Sequence, residues 1–377
     1  MYLLLLGRKN FLIDVIICER DDLMKKIGIK IVKILRNILL VIVSILAIFL
    51  LVRSIGKTIN NKVPTGGINE SMYVDINGTK QWISIYGEDR NNPILLYLHG
   101  GPGSSTSLYD YAFTRKWADV YTVVTWDQRN CGKSYDKNQN NIELTYDLMM
   151  SDGLEMTQFL IDYLDKDKIT ILGHSWGTYL GCNLVLAYPE YYECYIGTGQ
   201  MFDMYENEIA FKGIASEWVG DDKDGLKLLE SITPENFTEE HFVTRNLIME
   251  KYGYNLMVDG TDYNLPATII FNPYYSLADL VKFLKADYSV YMDFLMSTEF
   301  SKFSLIHKTE YKVPYFNING NRDYQTNYIL AHKYFDEIEA PYKKLYIMDN
   351  TTHGLLESKS EEFSKILHEI ANFKLND

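Results

Sequence analysis

The stretch of this 377-residue chain best suited to covalent chemistry is Gly173-His174-Ser175-Trp176-Gly177, a serine with a glycine two positions to either side. A serine hydroxyl is a weak nucleophile, and it attacks an acyl carbon only when a positioned base takes its proton. The spacing G-x-S-x-G is weak evidence alone, because glycine and serine are common and most chance matches are ordinary turns. Its flanks strengthen it. Lys168 to Leu172 reads as a short buried strand rich in β-branched residues, and Thr178 to Tyr188 reads as a helix. A serine on that junction occupies a sharp strand-to-helix turn, where only small residues at the two flanking positions let strand and helix approach.

The same chemistry needs a base, a carboxylate to orient it and donors for the oxyanion, each from a loop at the carboxyl end of a strand. Seven histidines compete for the base. His332 and His368 fall in helix-like stretches, His241 and His307 in an irregular region, and His99 and His174 beside glycine motifs. His353 follows a strand-like run, Lys344 to Met348, in the loop Asp349-Asn350-Thr351-Thr352-His353-Gly354, and is the best placed. For the carboxylate, Asp323 closes Asn319-Gly320-Asn321-Arg322-Asp323 directly after the strand Val313 to Ile318. Its rivals are Asp349, which shares a strand with His353, and Asp336, which looks helical. The order Ser175, Asp323, His353 is the one expected with this serine turn. Oxyanion donors are expected from the amide of Trp176 and from His99-Gly100-Gly101-Pro102-Gly103, a glycine-rich loop after the strand Ile94 to Leu98.

Alternating elements must hold these groups. Gln81 to Tyr86, Ile94 to Leu98, Tyr121 to Trp126, Ile169 to Leu172 and Tyr192 to Thr198 read as strands, with an amphipathic helix over Leu144 to Leu164. Strands separated by helices predict an α/β fold with a mostly parallel central sheet covered on both faces. Residues 200–308 lose that alternation and read as a helical insertion. The core is therefore expected in two parts, 70–199 and 309–377, closing with a helix near Glu361 to Phe373.

Ahead of this core, Ile38 to Val52 carries no charge and is bracketed by Arg36 and Arg53. It predicts a transmembrane signal anchor over 37–56, with 1–36 cytoplasmic because Lys25, Lys26, Lys30, Lys33 and Arg36 precede it, and the rest outside the cell. No clean small-residue cleavage site follows. Residues 1–23 mix apolar and acidic residues, whereas Met24-Lys25-Lys26 opens like an ordinary export signal, so Met24 is the expected start. Residues 57–69 are polar and turn-rich and predict a tether. The first 57 residues hold ten basic and four acidic residues, so the net charge of −13 leaves about −19 beyond them, which argues against a nucleic-acid partner. Cys18, Cys131, Cys182 and Cys194 show neither C-x-x-C pairing nor metal-like spacing, and no metal or cofactor is expected.

His99-Gly100-Gly101-Pro102-Gly103, Trp126-Asp127-Gln128-Arg129-Asn130-Cys131-Gly132-Lys133-Ser134 and the serine turn together resemble the α/β-hydrolases, and within them the proline iminopeptidase family of serine aminopeptidases. The resemblance covers roughly Tyr73 to the C-terminus. It implies Ser175 as nucleophile, Asp323 and His353 as its partners, the amides of Gly101 and Trp176 as oxyanion hole, and the insertion as a cap over the site. Asn130 stands where the family usually has glycine, His174 where many members have another, and Asn327 where a proline is frequent. The cap matches less well. Glu206, Glu208 and Glu217 are its candidates for binding the free α-amine of a small peptide. The expected activity is release of an N-terminal residue; the alternatives are a carboxylesterase or lipase-like hydrolase on the same triad, and a catalytically idle surface binding protein.

Overall fold

The computed structural model describes residues 2–235, 237–256 and 258–374, with the side chains of 2–19, 21 and 22 left out. Cys18 thus lies outside the described side chains. The chain divides into two units, 1–60 and 61–377. The first is one helix, Tyr2–Asn60, whose stretch Leu23–Asn60 is long and apolar enough to cross a membrane by length and composition. Helical backbone continues to Asn60 and the first strand starts at Ile68, so only 61–67 remain of the tether expected over 57–69.

The second unit is built on one eight-stranded sheet: β1 (Ile68–Ile76), β2 (Thr79–Gly87), β3 (Ile94–Leu98), β4 (Thr122–Asp127), β5 (Ile169–His174), β6 (Tyr192–Thr198), β7 (Tyr315–Gly320) and β8 (Lys343–Met348). Their spatial order is β1-β2-β4-β3-β5-β6-β7-β8, antiparallel at β1/β2 and β2/β4 and parallel elsewhere. This is the α/β fold the alternation predicts. β1 escapes a sequence reading because only Ile68, Val74 and Ile76 of its nine residues are buried, too few to mark an apolar face. β7 begins two residues later than expected, after Pro314, which has no N–H for a ladder and contributes only its carbonyl, to Tyr195 N at 3.0 Å.

Apolar residues cover both faces of the sheet. One side gathers Ile83, Leu96, Leu98, Leu180 and Tyr195, the other Leu95, Tyr97, Trp117, Leu172, Phe363 and Leu367. Helix Tyr146–Leu164 starts on Thr145, whose hydroxyl accepts from Leu148 N, and stops at Asp165 in the left-handed region. Between β6 and β7 lies the insertion, with helices Met204–Val219, Lys223–Glu230, Glu239–Tyr252, Leu265–Ile270, Leu277–Leu284, Ser289–Leu295 and Thr298–Ser301. It holds a small core of its own around Phe211, Leu229, Ile232, Ile248 and Met249.

Candidate active site

Ser175 follows β5 and caps helix Trp176–Ala187 with φ 54° and ψ −121°, a backbone that residues bearing a side chain rarely adopt. Sterics at its neighbours explain the glycine spacing. A Cβ on Gly173 would stand 2.4 Å from the carbonyl oxygen of Gly177, and one on Gly177 would stand 2.0 Å from that of Leu98 in β3. The turn is pinned by Ser175 N donating to Thr198 O at 3.0 Å, which ties it to the end of β6.

Asp323 and His353 come from the loops after β7 and β8, and both are buried. His353 Nδ1 lies 2.7 Å from Asp323 Oδ2. An ionised carboxylate only accepts, so Nδ1 carries the proton and Nε2 of a neutral ring is left as acceptor. The amides of Gln325 and Thr326 donate to Asp323 Oδ1 at 3.0 and 3.1 Å, and the Thr326 hydroxyl donates to Oδ2 at 3.1 Å. Two further residues crowd the imidazole. Gly199, at φ 55°, would place a Cβ 2.7 Å from His353 Cε1, and the His174 ring centre is 4.7 Å away. Burial, then the nearness of His353, push the His174 pKa well below its ordinary value, so that ring packs as a neutral group. Of the rival carboxylates, Asp349 instead accepts from Asn321 Nδ2 at 2.9 Å on the surface.

The loop after β3 stands opposite. Gly101 has φ 118°, and a Cβ on Gly100 would come within 3.1 Å of the Ser175 Cβ. Trp126 to Ser134 acts as its scaffold. Asp127 accepts from Ser105, from Ser107 Oγ at 2.8 Å and from Lys133 N at 2.7 Å. Arg129 grips Asp152 through two hydrogen bonds of 2.7 Å. Asn130 sits at φ 53°, a left-handed position that asparagine tolerates as glycine does.

Ser175 lines two cavities. A small one of about 60 Å³ also meets Gly101, Met201, Phe202, Glu208, Arg245 and Phe300. A wider one of about 760 Å³ meets Gly101, His174, Tyr291, His353 and Glu357. Ser175, Gly101 and His353 therefore line one cavity, and Trp176, which follows Ser175, opens the helix. A third depression, about 840 Å³, lies between Tyr146, Tyr188 and Glu310 and holds none of these groups.

The cap carboxylates behave differently from one another. Glu217 is exposed, and Glu206 lines neither cavity. Glu208 lines the small cavity, but its Oε2 lies 2.8 Å from His241 Nε2 and 3.2 Å from Arg245 Nε. Burial alone would raise its pKa; Arg245 and His241 outweigh that and hold it below the usual carboxylate range. Its charge is thus already balanced within the cap. Sequence reasoning missed Gly199, Thr326 and Glu357. Thr326 and Gly199 carry a faint signal in their positions just beyond strand ends, whereas Glu357 reads as an ordinary helix residue.

A family model described as alpha/beta hydrolase fold matches residues 93–237. The Bacillus subtilis protein named "Probable aminopeptidase YbaC" is 26% identical over 303 residues, 74% of this chain and 89% of its own. A proline iminopeptidase of Heyndrickxia coagulans is 31% identical over 117 residues, 31% of this chain and 38% of its own length. Among solved structures, a proline iminopeptidase of Mycobacterium smegmatis aligns with TM-score 0.57 at 19% identity, over 80% of this chain and 99% of that one. A bacterial membrane phospholipase A gives 0.56 at 14% identity, over 90% and 99%. At such identities the structural likeness speaks for the fold.

Proposed function

The chain is a hydrolase of the α/β fold, and from that premise we propose that it is a serine hydrolase working through an acyl-enzyme, releasing the N-terminal residue of small peptides. Ser175 Oγ attacks the scissile carbonyl while His353 Nε2 takes its proton and passes it to the leaving amine. Asp323 holds the ring in that tautomer. The amides of Gly101 and Trp176 receive the oxyanion, each such donor being worth about 2.7–4 kcal/mol where water is excluded. The observation that carries this reading is that Ser175, Gly101 and the Asp323-paired His353 all line one cavity.

Labelling with a fluorophosphonate tests it. Ser175→Ala should abolish labelling, and His353→Ala should cost nearly as much turnover because triad members act as a unit. Undiminished turnover in either variant would sink the assignment. A carboxylesterase reading on the same residues is favoured by one feature: Met201, Phe202, Phe237 and Phe300 give the small cavity an apolar side, and Glu208 in its lining is balanced internally. A panel of aminoacyl p-nitroanilides against simple p-nitrophenyl esters separates the two.

A further inference from the structure

Glu357 sits on the short helix Leu355–Ser358, four residues after His353, and its side chain lines the wide cavity that also contains Ser175 and His353. It is 4% exposed, and its Oε2 has no hydrogen-bond partner among the described residues. Among the described residues no lysine or arginine lines that cavity. A buried carboxylate oxygen left without a partner is costly, by about 1–3 kcal/mol or more for a charged group. Glu208 shows the usual remedy, a pairing with Arg245 and His241. Glu357 has only its own backbone N–H and the nearness of His353 to offset its burial.

We propose that Glu357 is the specificity-determining carboxylate of this site, taking the protonated amine of a substrate whose acyl carbon lies at Ser175. The inference rests on the aminopeptidase reading and moves the amine contact from Glu206 and Glu208 in the cap to a residue of the core. The cavity, about 760 Å³, has volume for an aminoacyl group, and His353 is the one described lining residue whose charge acts on Glu357. Burial raises the Glu357 carboxyl to about 7, so near neutral pH it stands ready to ionise when a cation arrives. Tyr97, Tyr109 and Tyr263 face it, and the hydroxyls of Tyr97 and Tyr263 are likewise buried without partners. Those hydroxyls add donors around the bound amine's carboxylate partner rather than rival charges.

The test compares Glu357→Gln, Glu357→Asp and Glu208→Gln in the full-length enzyme, using Ala-p-nitroanilide with a free amine and its N-acetylated form. The quantity read is the ratio of kcat/KM for the two substrates. Glu357→Gln should lower that ratio about tenfold or more, chiefly through KM, as expected for loss of a charge-assisted hydrogen bond. Glu357→Asp should restore most of it, and Glu208→Gln should leave the ratio near its starting value. An equal fall for both substrates in Glu357→Gln, or a collapse of the ratio in Glu208→Gln alone, overturns the proposal. A second arm measures inhibition of p-nitrophenyl acetate hydrolysis by L-alaninamide. If the enzyme cleaves only esters, the aminopeptidase reading fails, yet inhibition weakened by Glu357→Gln still supports the amine site. Inhibition indifferent to Glu357 overturns it independently.

Discussion

Gly199 shows how much of a catalytic geometry depends on a residue with no chemistry. Its missing side chain leaves room for the imidazole of His353, and its φ of 55° is one that an L-residue adopts at a cost of about 1–2 kcal/mol. Gly199→Ala should therefore displace the ring from Asp323 and lower kcat about 100-fold on amide and ester alike, since small misplacements of reacting groups carry costs of that size. A fall of less than threefold, measured by steady-state kinetics, would mean the ring tolerates the intrusion. At this scale sequence was most informative where chemistry and backbone coincide: Ser175 is marked by glycines that the turn demands, and His353 and Asp323 by their places after strands. Glu208 was legible as a cap glutamate but not as half of a buried pairing with His241 and Arg245, because those partners lie 33 and 37 positions away across a helix contact that no local pattern encodes. Glu357 carried no signal at all, since a lone glutamate in a helical stretch reads as solvated until burial is known.

Among elements, the junction of β5 with helix Trp176–Ala187 is the tightest. A methyl group on Gly177 would collide with the Leu98 carbonyl in β3, a backbone atom that cannot rotate away. Gly177→Ala should thus cost about 3 kcal/mol or more, at or beyond the usual upper end for overpacking, seen as a large drop in melting temperature or as failure to accumulate. Gly213 in helix Met204–Val219 supplies the contrast, because a Cβ there meets nothing within 4 Å. Gly213→Ala should stabilise by about 0.5–1 kcal/mol. Equal effects of the two substitutions would contradict this account of the turn. Strand periodicity made β2 to β8 legible because most are buried on both faces, whereas β1, half-exposed at the sheet edge, offers little contrast between its faces. Helix ends behave likewise: residues 57–69 read as one polar tether because the apolar signal fades before the helix does, which runs on to Asn60.

Taken whole, the molecule combines an acidic catalytic unit with a basic, apolar N-terminal helix. We infer from Lys25, Lys26, Lys30, Lys33 and Arg36 that this helix anchors the chain with its catalytic unit outside the cell. Protease added to intact cells should then remove the catalytic unit, and protection until lysis would reverse the orientation. The unit also stores unfavourable charge. Burial, then the neighbouring Asp127, raise Asp110 to about 7 from an ordinary 3.8, and burial raises Asp127 to about 6. A carboxyl with a raised folded pKa contributes stability that is fully present below its unfolded value and is lost as pH climbs through the folded one. Between pH 4 and 7 the fold should accordingly weaken at Asp110 as the pH rises. Asp110→Asn removes that loss, so the melting temperature of the variant relative to the parent should increase from pH 5 to pH 8; a constant difference would exclude the effect.

Tyr291, in the helix Ser289–Leu295 of the insertion, packs its ring where a Cβ on Gly103 would stand, within 2.5 Å, and its hydroxyl donates to the Arg129 carbonyl. Asn272 adds two hydrogen bonds of 2.9 Å to the carbonyls of Ser107 and Leu108, and the Tyr275 hydroxyl meets Ser107 Oγ at 2.7 Å. The insertion is therefore bolted to the loop that presents Gly101, and the two cannot be inherited separately. A chimera that grafts the insertion of another hydrolase onto this core would also have to import a matching Gly101 to Leu108 segment. Directed evolution that varies the insertion alone would be filtered first for keeping Tyr291 and Asn272, and only then for new substrates.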